Sequence, residues 1–352
     1  MLRRSGVRTL LSPGVDQSAG KREAILVLGA HRSGTSAVAG ALRLLGVAPP
    51  THVLPPAADN PTGFWESPFV IGANDWILTA GGRLWFECLA FDSNGLDPDT
   101  RTAALTFIML SLLGEFGHKP LLLVKDPRIC LLLDLWLPAL QALQIHCSAL
   151  LVLRHPGEAV ASLAHRSRLP PPHGAALWLG YMLAAERATR GSRRCILSYD
   201  ELVSDWQRVL SRVSREIEIA WPIAVEGVAA PLEGFVNSAL RHHHLGDRTR
   251  GLRMGRAPVG IWLEEAYDAM LGLGRDRTRV EPLARLDEVS TAFSVWCRDE
   301  GQWLAASLPA DHFIRGIPQF EVPAAWHRIV PRLMRGPDIL RPARPEVSTT
   351  MS

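Results

Sequence analysis

The stretch Ile25-Leu26-Val27-Leu28-Gly29-Ala30-His31-Arg32-Ser33-Gly34-Thr35-Ser36 constrains the fold of this chain more than any other. An apolar run stops at a loop bounded by glycines five residues apart. The loop then opens into a helical pattern carried by Ala37, Val38, Ala39, Ala41, Leu42, Leu44 and Leu45. Strand, loop and helix in that order predict a backbone cradle for a phosphate, with loop N–H groups and the helix N-terminus facing the anion. A nucleoside-triphosphate loop places a lysine directly after its second glycine. Here Thr35 stands at that position, and the basic residue is Arg32, two positions before Gly34.

Three more apolar runs have the look of buried strands: Leu121–Val124, Ala149–Leu153 and the shorter Cys195-Ile196-Leu197, alongside Ala24–Leu28. Each ends at a polar turn: Lys125-Asp126-Pro127-Arg128, Arg154-His155-Pro156-Gly157, and Ser198-Tyr199-Asp200. Helical patterns follow at Glu158–Arg166 and Leu177–Ala188, and no hairpin turn separates the strands. This alternation predicts an α/β chain, a P-loop-like three-layer fold around a central parallel sheet. Ligands of such sheets bind beyond the carboxyl ends of the strands, where the charged turns fall. After Trp206 the pattern is mainly helical, at Val209–Ile219, Ile261–Leu271 and Ala284–Leu304, and predicts a helical C-terminal extension over 206–334. The α/β domain is expected over 23–334, with a disordered leader (1–22) and tail (335–352). The Pro/Gly/Trp-rich insertion 48–98 holds Asn60-Pro61-Thr62-Gly63-Phe64-Trp65-Glu66-Ser67. It reads either as substrate loops or as an irregular segment packing its tryptophans on the core.

Composition narrows the function classes. With 352 residues, 47% hydrophobic and 21% charged, the chain is an ordinary globular protein, and a net charge of +3 gives no support to nucleic-acid or anionic-membrane binding. Lysine occurs only at positions 21, 119 and 125, which singles out Lys125. Five cysteines, an odd number without a CxxC spacing, predict reduced thiols in a cytoplasmic protein and neither a disulfide framework nor a zinc site. The longest apolar stretch, Leu121 to Leu143, is broken by Lys125, Asp126, Pro127, Arg128, Asp134 and Pro138, so no membrane span is expected. No sustained apolar core follows Arg3, Arg4 and Arg8, which argues against a secretory signal.

In chain order, the basic residue before Ser33-Gly34-Thr35-Ser36, the turn Val124-Lys125-Asp126-Pro127-Arg128, the segment Arg154 to Ser162 and the segment Ser198-Tyr199-Asp200-Glu201-Leu202 form a constellation. It resembles the sulfotransferases that use 3′-phosphoadenosine 5′-phosphosulfate (PAPS), particularly divergent bacterial members, over roughly residues 23–205. The resemblance implies that His31, Arg32, Ser33, Gly34, Thr35 and Ser36 hold the 5′-phosphosulfate. It implies that Arg154 and Ser162, eight residues apart, hold the 3′-phosphate and that Tyr199 neighbours the adenine. The donor would be PAPS, no metal would be obligatory, and the acceptor would be a small molecule or glycan.

The catalytic base is where the resemblance thins. Cytosolic small-molecule members carry a His two residues after the Lys of the second motif; here Pro127 stands there. Carbohydrate and tyrosylprotein branches often use a Glu, which makes Glu66 the candidate base, with Arg32 and Lys125 stabilising the leaving phosphate. A carboxylate beside Phe64 and Trp65 would gain base strength from its apolar surroundings. His31, Asp126 and one of His242, His243 and His244 also have the chemistry of a base, and Arg241, Arg248 and Arg250 are further cations for the 3′-phosphate. Two other readings stay open at this stage. Asp126, at the end of an apolar strand, suits a Mg²⁺-dependent kinase or NTPase; alternatively, it forms a structural ion pair with Arg128. The missing His also suits a nucleotide-binding protein without catalysis.

Overall fold

Arg22–Leu28 (β1) is apolar on both sides of its pleat, with Ala24, Ile25, Leu26, Val27 and Leu28 all at 0% exposure. A strand of that kind needs cover on both faces and neighbours on both edges. In the computed structural model, which describes residues 21–57, 60–87, 91–235, 249–253 and 256–300, β1 has both. It pairs in parallel with β2 (Leu121–Lys125), Val27 facing Lys125, and with β3 (Ile145–Leu153), Leu28 facing Leu151. Strand β4 (Arg194–Ser198) joins β3, again in parallel, to give the four-stranded order β2-β1-β3-β4. The parallel α/β sheet expected from the sequence is therefore present. Positions 1–20, the expected tail 335–352, Arg241, His242, His243, His244, Arg248 and Cys88 lie outside the described residues.

Period-2 alternation sorts the strand side chains into two cores. Ala24, Leu26, Leu28, Leu122, Val124, Ala149, Leu151, Leu153 and Ile196 share one. Ile25, Val27, Leu123, Leu150, Val152, Cys195 and Leu197 share the other. Helix α1 (Thr35–Leu44) covers the second core, and α2 (Pro68–Ala80), α3 (Pro98–Phe116), α4 (Leu133–Ala142), α5 (Pro156–Ser167) and α6 (Pro171–Ala188) cover the first. The helical region after the sheet is divided between the faces. Helices α7 (Tyr199–Ser204), α8 (Trp206–Ile217) and α9 (Ala229–Phe235) extend the α1 side, while α10 (Val259–Arg275) and α11 (Glu281–Glu300) join the opposite layer.

The insertion, whose composition predicts loop or irregular structure, contains helix α2. Ser67 caps α2 by accepting from the Phe69 and Val70 N–H groups at 3.1 and 3.4 Å, and Pro68 occupies the first turn, where its missing N–H costs nothing. Val70, Ile71, Asn74, Ile77 and Leu78 form the buried face. Inside the core, the Trp136 indole N–H donates to Asn74 Oδ1 at 2.9 Å and ties α2 to α4.

The two-sided core sets a stability expectation. Leu26→Ala should lower the unfolding free energy by about 2–5 kcal/mol, whereas Leu113→Ala, at a position 44% exposed, should change it by under about 0.5 kcal/mol. Urea denaturation of both variants measures the contrast, and equal losses would refute the assignment of Leu26 to the core.

Candidate active site

Because the four strands run parallel, the residues that follow β1, β2, β3 and β4 emerge at one edge. The first is the loop Gly29–Gly34. Its backbone is fixed from inside the protein: Gly29 N–H donates to Cys130 Sγ and Ala30 N–H to Met182 Sδ, each at 3.2 Å, and Ser33 N–H returns to Ala30 O at 3.1 Å. Arg32 and Gly34 both have positive φ, 71° and 87°. At Gly34 the requirement for glycine is twofold, since an added Cβ would also lie 2.5 Å from the Tyr199 ring. Gly34 is the N-cap of α1, no side chain caps that end, and Thr35 and Ser36 supply its first N–H groups, which have no acceptor inside the helix. This is the anion-ready terminus that the sequence predicts.

One cleft gathers most of the expected site. His31, Arg32, Gly34, Thr35, Ser36, Glu66, Lys125, Arg154, Ser162 and Tyr199 all line it. Ser33 does not: its side chain is at 0% exposure and its hydroxyl has no hydrogen-bond partner among the described residues. Arg32 Nε donates to Ser162 Oγ at 2.8 Å, a direct bond between the phosphate loop and α5. Arg154, at the end of β3, donates from Nε to Glu158 at 2.9 Å and from Nη1 to the Arg32 carbonyl at 3.4 Å. Its guanidinium also lies 5.3 Å from the centre of the Tyr199 ring. Arg154 is thus both the partner of Glu158 and a wall of the cleft. Tyr199 is both a packed aromatic and a cleft residue.

Lys125 is 3% exposed, and its ammonium donates to Glu66, to Phe64 O at 3.1 Å and to Ser36 Oγ at 3.3 Å. Glu66, 9% exposed, has an ammonium as its neighbour, not solely the aromatic surroundings expected from Phe64 and Trp65. Asp126 is at 0% exposure and does not line the cleft. Its carboxylate accepts from Arg128 N–H at 2.8 Å and from Arg128 Nη1 at 3.1 Å, and Arg128 Nε reaches Asp75 at 2.6 Å. The strand-end ion pair is therefore the arrangement observed. Burial holds the Asp75 carboxyl above its ordinary range. His31 packs against Trp85 and Tyr181, with ring centres 4.8 and 5.4 Å away. Burial, then the charges of Arg128, Lys125, Arg166 and Arg32, keep its imidazole well below the usual histidine range, so it is neutral.

Sequence reasoning assigned no role to Asn60, Arg166 or Phe235, which also line the cleft. Arg166 was findable: it follows Ser162 by four residues, which places both on one face of α5. Asn60 donates from Nδ2 to Ser36 Oγ at 3.2 Å and to Gly63 O at 2.8 Å, contacts that no spacing announces. Arg250 does not line the cleft and stands beside Glu264, at 3.9 Å. Among the described residues no group of three or more His, Cys, Asp or Glu side chains is arranged to hold a metal, and no helix is long and apolar enough to cross a membrane.

The loop geometry makes Gly34→Ala a sharp test. Left-handed backbone and the Tyr199 contact should together cost at least about 1–2 kcal/mol, read as a lowered urea midpoint. A variant of unchanged stability would mean that the loop is not held as described.

Comparison with known proteins finds likenesses at low identity alone. No family model matches the chain, and no curated protein matches it. Among solved structures, the sulfotransferase domain of the Synechococcus olefin synthase aligns at 14% identity and a TM-score of 0.42, over 70% of this chain and 95% of that one. A sulfotransferase domain from the curacin biosynthetic pathway aligns at 14% identity and 0.38, over 78% and 98%. A sulfotransferase from Mycobacterium tuberculosis aligns at 12% identity and 0.33, over 63% and 72%. These three solved structures are sulfotransferases or sulfotransferase domains.

Proposed function

We propose that the chain is a sulfotransferase that moves a sulfuryl group from PAPS to a hydroxyl or amine of a small-molecule or glycan acceptor. The bond from Arg32 to Ser162 carries this reading, because it joins two anion-binding sets in one cleft. One set is the α1 N-terminus with Thr35, Ser36, Arg32 and Lys125; the other is Arg154 with Ser162, and Arg166 one turn further along α5. A nucleoside triphosphate carries phosphates on its 5′ side alone. PAPS carries a 3′-phosphate as well, and two adjacent sets suit it. Arg154 offers the planar fork that matches a phosphate monoester. The Tyr199 ring would lie beside the nucleoside.

In the reaction the acceptor oxygen bonds to sulfur while the bond from sulfur to the 5′-phosphate oxygen breaks in line. Glu66 takes the acceptor proton. Lys125 and Arg32 stabilise the phosphate oxygen that departs. Sulfuryl transfer places less charge on the migrating group than phosphoryl transfer, so fixed donors suffice without an obligatory metal. The rival kinase reading needs Asp126 as a metal ligand, and that carboxylate is buried outside the cleft and engaged by Arg128.

Calorimetric titration of adenosine 3′,5′-bisphosphate and of Mg-ATP tests the reading. Metal-independent bisphosphate binding is expected, weakened roughly 10- to 100-fold in Arg154→Ala by loss of charge-assisted hydrogen bonds. A preference for Mg-ATP, indifferent to Arg154, would overturn it. With an acceptor in hand, Lys125→Ala should lower turnover by about 10²–10³-fold and bisphosphate affinity far less. Unchanged turnover would remove Lys125 from catalysis. Tight bisphosphate binding with no transfer to any of a broad panel of hydroxyl acceptors would favour a binding protein.

A further inference from the structure

Lys125 has no donor left for a ligand. An ammonium offers three N–H donors, and the side chains and backbone around it take all three: the Glu66 carboxylate, Phe64 O and Ser36 Oγ. Two of those acceptors, Phe64 and Glu66, belong to the segment that also carries Asn60, and Asn60 grips Ser36 from the other side at 3.2 Å. Ser36 Oγ therefore accepts from both Asn60 and Lys125, which uses its lone pairs and leaves its own proton to donate into the cleft. The segment 60–66 is thus latched to Ser36 and Lys125, the groups expected to meet a donor phosphate.

We propose that Lys125 is a coupling residue: the anionic donor draws its ammonium away from Glu66, and only then does the Glu66 carboxylate, stripped of its counter-ion, become an effective base. The inference rests on the sulfotransferase reading and adds an order to it, with donor first and proton abstraction second. No bond other than hydrogen bonds changes in the coupling step. Lys125 keeps its proton and exchanges one acceptor, Glu66, for a ligand phosphate oxygen, while Glu66 gains affinity for a proton from the acceptor or from water.

Charges facing Glu66 from the surrounding elements set the size of the effect. Lys125 lies at the end of β2, the Arg128 guanidinium just beyond it and Asp75 on α2. Arg32, Arg154 and Arg166 stand around the same cleft, as does the neutral imidazole of His31. Among these, Lys125 alone makes a salt bridge with Glu66 among the described residues. Loss of that ammonium raises the affinity of the carboxylate for a proton, the direction a general base needs.

By linkage, the bisphosphate should then bind more tightly as pH falls, with a limit of about tenfold per pH unit for one proton. Calorimetry of adenosine 3′,5′-bisphosphate in buffers of different ionisation enthalpy counts the protons taken up. Wild type should take up more than Glu66→Gln, and the difference cancels the titration of the ligand's own phosphates. Glu66→Asp, which keeps a carboxylate, should restore the extra uptake. Equal uptake by wild type and Glu66→Gln, with both binding, would overturn the coupling and leave the sulfotransferase reading standing. Absence of bisphosphate binding by wild type would overturn both.

Discussion

A sheet buried on both faces decides where this protein can place polar chemistry. Ala24–Leu28 has no exposure, its side chains are divided between two cores, and its edges are taken by β2 and β3. Charged side chains have no place along such strands unless they are paired. They collect where the chain leaves the sheet, and parallel pairing brings those exits to one edge. Arg32, Lys125, Arg154 and Tyr199 are far apart in sequence but line the same cleft for this reason.

The strands were legible because two-sided burial writes itself as continuous apolar runs, and the loop because glycine at Gly34 satisfies a positive φ that few other residues tolerate. Arg154 and Ser162 were legible through their spacing across a strand-to-helix turn. What stayed hidden was partnership across long sequence separations. That Arg32 bonds to Ser162, Asn60 to Ser36 and Lys125 to Glu66 follows from how the insertion folds back over the loop, which no periodicity encodes. Helix α2 was hidden for a different reason. Its Ser67-Pro68 start is a helix signal, but it sits in a stretch whose Pro, Gly and Trp content reads as loop.

Asp126 shows how one partner decides between two chemistries. At the end of an apolar strand it has the sequence context of a metal-binding carboxylate. Pro127 and Arg128 begin a tight turn that brings the Arg128 guanidinium back onto it, and Asp75 from α2 takes the other side of that guanidinium. A buried arginine between two carboxylates is costly to dismantle, since removing one member leaves an uncompensated buried charge. The group is thereby structural, and it also fixes the start of the segment that follows β2.

The same logic runs through the cleft with the opposite consequence. Arg154 already has Glu158 and Lys125 already has Glu66, so an incoming anion does not meet bare positive charge. It must compete with Glu66 for Lys125 and share Arg154 with Glu158. On the proposed reading, a ligand bearing a single diffuse charge would gain little from that exchange, whereas one bearing two phosphate groups would compete at both places at once. On that reading, selectivity would come from the pairing itself: each carboxylate raises the threshold for its neighbouring cation, and a ligand that meets both thresholds would be favoured.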